Sequence, residues 1–128
     1  RRKEGFAMVS DRGFFSFLST SLHSDVAHDG VGEILTKRVR EKGVGATNFI
    51  DLTVLPPGTS IGVHTHAMDN EEIYIVISGT GLMFVDGEDF QVVPGDVIVN
   101  RPGGTHGLSN SGEDDLRIVV LELKARDG

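Results

Sequence analysis

His64 and His66 flank Thr65, a carboxylate follows at Glu71 or Glu72, and a third histidine, His106, comes forty residues after His66. Side chains alternate along a strand with period two, so two histidines one residue apart project from one face and both rings can reach a single ion. Imidazole nitrogen and carboxylate oxygen are donors suited to first-row divalent metals, and an octahedral ion held by four of them keeps positions for water or substrate. A structural zinc site is more often tetrahedral, closed and thiolate-rich. The chain has no cysteine, so thiolate ligands, disulfides and thiol nucleophiles are excluded. Any metal here sits on nitrogen and oxygen.

The elements that must position these residues read as strands. Seventeen glycines and four prolines punctuate short runs rich in valine, isoleucine and phenylalanine, the texture of an all-β domain with frequent turns. Runs at Glu33 to Val39, Asn48 to Leu55, Ile61 to His66, Glu72 to Ser78, Leu82 to Val85, Phe90 to Val93, Val97 to Asn100, His106 to Ser109 and Leu116 to Leu123 predict about nine strands. A glycine-bearing turn is expected around Gly43 and Gly45, and Pro56, Pro57 and Gly58 form a stop. Asp86 and Gly87 make a two-residue hairpin signal, because both central positions of the favoured turn need positive φ. Strands without an intervening helical period favour a barrel or sandwich, and a jelly-roll barrel leads.

In the Ile73 to Ile77 run both faces are apolar, with Ile73, Ile75 and Ile77 on one and Tyr74 and Val76 on the other. A small barrel buries only one of these. The second predicts cover from a partner subunit, hence a homodimer, with the N-terminal arm as the alternative.

At 128 residues the chain makes one domain, with an arm over 1–30 and a barrel core over about 31–124. Its formal charge of −7 argues against a nucleic-acid surface. The basic residues are scattered, apart from Arg1, Arg2 and Lys3 and the run Lys37, Arg38, Arg40 and Lys42. Ser10, Asp11 and Arg12 interrupt the apolar residues near the N-terminus, so neither a signal peptide nor a membrane span is expected, and the expected location is cytoplasmic. The first residue is Arg1, so a trimmed start is expected.

Two spaced sets of residues resemble the two motifs of the cupin family. Gly58, five residues, His64, Thr65, His66, a carboxylate and then Gly79 match the first. The loop after His66 is one residue longer than the family's: Glu71 fits the spacing from His66, and Glu72 fits the spacing to Gly79. We take Glu72, because the glycine turn fixes strand register while a loop absorbs an insertion, and keep Glu71 as the alternative. Gly95, five residues, Arg101, Pro102, Gly103, two residues, His106, three residues and Asn110 match the second motif, with Arg101 where the family carries proline.

The resemblance implies a cupin jelly-roll barrel, the double-stranded β-helix. It also implies one divalent metal (iron, manganese, nickel, cobalt, copper or zinc) on His64, His66, Glu72 and His106, and dioxygenase, isomerase, decarboxylase or lyase activity. The expected partner is a small polar metabolite such as a hydroxy acid, keto acid, sugar or diol. Arg101, with Asn100 beside it, is a candidate anion clamp at the rim, because a guanidinium fork matches two acceptor oxygens. Arg38 is a second candidate anion contact. Tyr74 shares the face of Glu72 and is a candidate hydrogen-bond donor or proton carrier. Asn110 is expected to pin a turn, and His23 and His28 are expected in exposed arm or loop positions away from the site. The other reading is a non-catalytic binding module, since the fold hosts many functions.

Overall fold

The computed structural model describes residues 13–40 and 47–125. The basic residues at 1–3, Lys42 and the turn expected around Gly43 and Gly45 lie outside them. Ten strands run in chain order: β1 (His23–Asp25), β2 (Ile34–Arg40), β3 (Thr47–Leu55), β4 (Ser60–Thr65), β5 (Asn70–Ser78), β6 (Gly81–Val85), β7 (Glu88–Val92), β8 (Val97–Asn100), β9 (Thr105–Ser109) and β10 (Leu116–Lys124). They form a six-stranded sheet, β1-β2-β3-β10-β5-β8, and a four-stranded sheet, β4-β9-β6-β7. The strand pairs are antiparallel, and the result is an all-β jelly-roll barrel. No helix among the described residues is long and apolar enough to cross a membrane.

Nine of the strands fall where alternation and glycine placement predict them. The tenth, β1, lies within the stretch read as the arm and pairs with β2 at the sheet edge. Asp86 and Gly87 both take positive φ, 46° and 91°, and close the β6–β7 hairpin. Asn110, 2 % exposed, ties its turn to the barrel. Its amide donates to Leu55 O at 2.8 Å and Asp114 O at 2.7 Å, and its Oδ1 accepts from Gly112 N at 2.9 Å.

Between the sheets the inward residues interlock in register. Val120 faces Tyr74, Ile118 faces Val76 and Thr53, and Met83 and Leu108 meet them from the other sheet. Each fully buried side chain of this kind contributes roughly 1.5–3 kcal/mol by leaving water.

The outer face of the six-stranded sheet is apolar in two rows, Leu52–Val119–Ile75–Val97 and Ile50–Leu121–Ile73–Val99. Phe14 and Phe15 of the arm border a cavity with Ile50 and Leu52 on this face. Toward β5 and β8 it stays open, with Ile77, Val97 and Val99 exposed.

Candidate metal centre

β4 and β9 lie side by side with His64 opposite His106, while His66 follows the end of β4. Glu72 comes from β5 of the other sheet, so the four residues meet across the barrel interior. Buried Glu72 alternates in phase with buried Tyr74 and Val76. Glu71 belongs to the opposite face. The extra residue is taken up before β5, and Gly79, at φ 81°, begins the turn that follows that strand. Glu72 is therefore the carboxylate brought to the histidines.

One donor atom from each of His64, His66, Glu72 and His106 lies within 4.8 Å of the other three. His64 Nδ1 donates to Gly62 O at 2.7 Å, which leaves the Nε2 lone pair facing inward, 3.2 Å from His66 Nε2. His66 Nε2 and His106 Nε2 both donate to Glu72 Oε1, at 3.1 and 2.9 Å. Three ring nitrogens and one carboxylate oxygen thus point at one small volume. A cation there would take the place of the two protons now shared with Glu72, so the donor set fits a divalent metal.

The electrostatics agree with a neutral His64 ring beside a charged carboxylate. Burial pushes the His64 pKa down to about 4, aided by His28 and His106 and opposed by the Gly62 hydrogen bond. Burial would raise the Glu72 carboxyl, but the hydrogen bond from His106 and the neighbouring His66, His106 and His64 outweigh it and hold the pKa below its ordinary value. Tyr74 is pushed well above the usual phenol range by burial, by the Glu72 charge and by its hydrogen bond to Glu72. Its ring also packs edge-on against His106, centroids 5.4 Å apart.

A cavity of about 490 Å³ reaches this cluster, lined among others by His28, Arg38, Phe49, Asp51, Glu72 and Tyr74. Arg38 grips Asp51 through two bonds of 2.8 and 3.0 Å and lies 3.8 Å over the Phe49 ring. Arg101, by contrast, is exposed in the β8–β9 turn, where its carbonyl accepts from Gly104 N at 3.0 Å, and it is not among the cavity's lining residues. The neighbour that turns inward is Asn100, which sits opposite Glu72 in the β5–β8 ladder and is 2 % exposed. Both of its side-chain amide atoms lack a partner among the described residues, as does His106 Nδ1.

Four contributions escape the motif spacing. Glu122 brings a second carboxylate, its Oε1 3.7 Å from His66 Nδ1, while its Oε2 accepts from Asn48 at 3.2 Å. Its phase was readable, since it continues the inward series Ile118 and Val120. Inward Asn100 likewise follows Ile98. His28 was expected away from the site, yet its ring stacks on His64 with centroids 3.4 Å apart and planes 6° from parallel. His23 also lines the cavity.

The model of the cupin domain matches residues 51–122, more than half of the chain. An oxalate-binding protein of Thermotoga maritima is 36% identical over 67 residues, covering 52% of this chain and 54% of that protein. An uncharacterised protein of Methanocaldococcus jannaschii is 38% identical over 75 residues, 59% of either chain. The match therefore spans little more than half the length of these relatives. Among solved structures, one described as a predicted oxalate decarboxylase of Thermotoga maritima superposes with a TM-score of 0.81 at 24% identity, covering 87% of this chain and 98% of that one. KdgF of a Halomonas species gives a TM-score of 0.70 at 23% identity, covering 89% and 94%. With the family model spanning both spaced motifs and the barrel superposing on these structures, the chain belongs to the cupin family.

Proposed function

We propose that this cupin is a metal-dependent enzyme acting on a small polar metabolite that chelates through neighbouring oxygens: a hydroxy acid, keto acid, sugar or diol. The observation that carries the reading is the convergence of His64, His66, Glu72 and His106 on one point beside a cavity of about 490 Å³. One divalent transition metal held by these four would supply Lewis acidity, or oxygen activation if it is redox-active. Dioxygenase, isomerase, decarboxylase and lyase chemistry all fall within this reading.

The chain's own residues set the surroundings. Gly62 O fixes the His64 tautomer, and Glu122 stands near the far nitrogen of His66, the kind of outer support that orients metal-binding rings. Tyr74 keeps its phenolic proton at neutral pH and can donate it as a hydrogen bond beside Glu72. Ile34, Ile61 and Val120 give the cavity an apolar stretch of wall. Arg101 enters the reading only as a rim contact for an anionic ligand.

The decisive experiment measures bound metal per chain by mass spectrometry, then screens turnover and oxygen consumption over keto acids, hydroxy acids, sugars and diols. Alanine at His64, His66 or His106 should remove stoichiometric metal and leave the β-rich circular dichroism spectrum in place. Unchanged metal content in all three variants refutes the site. Glu72→Gln should weaken metal binding more than Glu71→Gln. A second reading, a non-catalytic binding module, draws support from the relative named for binding oxalate. One metal per chain with no turnover across the panel would favour it. A homodimer through the open outer face near β8 and a cytoplasmic location belong to the same proposal, to be checked by light scattering and by cell fractionation.

A further inference from the structure

We propose that His28 is a ligand-contacting residue: its imidazole hydrogen-bonds an oxygen of the chelating metabolite, from a loop locked against β4 by a pair of glycines. The inference rests on the metal reading above and extends it to a residue outside the matched motifs.

The ring is placed beside the donor set without joining it. Its face lies on the His64 ring, 3.4 Å away and nearly parallel, while its donor atoms are not among the four that lie within 4.8 Å of one another. His28 is thus a neighbour of the donor set and not a member of it, placed where it can meet what an ion on His64 would hold. His28 also lines the cavity with Glu72 and Tyr74, and among the described residues neither of its nitrogens has a hydrogen-bond partner.

The backbone shows that this placement is enforced. His28 and Asp29 both adopt left-handed φ, 51° and 55°, a conformation unfavourable for residues other than glycine. Such strain persists where the surroundings over-determine it, and it gathers at functional sites. Here Ala27 O accepts from both Gly30 N at 2.9 Å and Gly62 N at 3.0 Å, Ser60 N donates to Val31 O at 2.9 Å, and Val31 N donates to Ser60 Oγ at 2.8 Å. The two backbone segments approach so closely that a Cβ on Gly62 would collide with His28 O, and one on Gly30 with Ser60 O. Gly62 also carries the carbonyl that fixes His64, so one stretch of β4 positions both rings.

The test uses the full chain loaded with cobalt(II), whose visible absorption reports both metal binding and ligand exchange, with oxalate and glycolate as probes. His28→Phe keeps a ring over His64 and removes both nitrogens. His28→Gly keeps the left-handed backbone and removes the ring, should the phenylalanine variant fail to fold. Both are expected to retain one cobalt per chain and to bind the probes about ten-fold more weakly, the effect of one lost hydrogen bond. Probe affinity within two-fold of the parent in His28→Phe, or in His28→Gly if only that folds, overturns the inference and leaves His28 a packing residue. Loss of cobalt in His28→Phe also overturns it, by making His28 part of the metal set. A parent chain that binds cobalt but neither probe refutes the contact while the metal reading stands. A parent that binds no cobalt refutes the metal reading itself.

Discussion

Acid should unfold the metal-free protein by a route that begins at His64. Its pKa is about 4 in the folded chain against an ordinary 6.5, with burial as the main cause. Between these values the unfolded chain binds a proton that the folded chain refuses, so stability falls as pH drops from 6.5 toward 4 and is complete above 6.5. At ~1.4 kcal/mol per pH unit the gap sets a ceiling of ~3.5 kcal/mol. Water reaches part of the ring, which reduces the expected loss to about 1–2 kcal/mol. His28, lowered chiefly by burial, adds a loss of the same sign. Glu72, held below its ordinary value, adds its own only at lower pH, as protons reach the carboxylate that His66 and His106 bridge. The assay is urea unfolding in chelator, followed by far-ultraviolet circular dichroism at half-unit steps from pH 7.5 to 4.5, on the parent and on His64→Gln. The parent should lose about 1 kcal/mol more than the variant across that range. Parallel curves, or a parent more stable at pH 5 than at pH 7, would refute the assignment of His64 as a neutral, burial-shifted ring.

Three further outcomes follow from packing. Asn110→Ala removes three hydrogen bonds around a buried turn and leaves Leu55 O without that donor, so urea unfolding should show a loss of about 2–4 kcal/mol; less than 1 kcal/mol would mean the turn holds without it. Gly62→Ala puts a methyl against His28 O and should cost about 1–3 kcal/mol while speeding amide exchange over 27–30; unchanged exchange there would refute the locked loop. Val97→Asp places a charge on the open outer face, where Val97 is 59 % exposed, and should shift light-scattering mass from dimer to monomer with little change in monomer stability; a parent that is already monomeric refutes the pairing.

The strands were legible because in most of them alternation is strong and glycine or proline marks the ends. β1 was not, since His23, Ser24 and Asp25 are all exposed and carry no apolar phase; pairing with β2 alone makes them a strand. Glu72 was legible through the turn at Gly79, which fixes the phase of Tyr74 and Val76, while the insertion sits in the loop before β5. Glu122 and Asn100 were legible in the same way, since they continue the inward phase of Val120 and Ile98 to the strand ends. His28 was out of reach. Nothing in the spacing of residues 23–32 says that two glycines thirty-two positions apart, Gly30 and Gly62, bring backbones together. The rim position given to Arg101 came from a motif match, and the structure puts the buried polar side chain one residue earlier, at Asn100.

The arrangement of donors also bears on how a metal would act on the fold. His64 and His106 belong to one sheet and Glu72 to the other, and Glu72 Oε1 receives two imidazole protons across the interior. The gap between the sheets at this end is thus bridged by polar contacts among the residues that would hold an ion. Binding a cation exchanges those contacts for coordinate bonds and requires little movement of strands, because Gly62 O holds His64 and the β5 register holds Glu72. A preformed site spends little binding energy on ordering the chain. Metal should therefore raise stability close to the mass-action value for its affinity, about 2.7 kcal/mol at a hundred-fold excess over Kd, with the strand content unchanged.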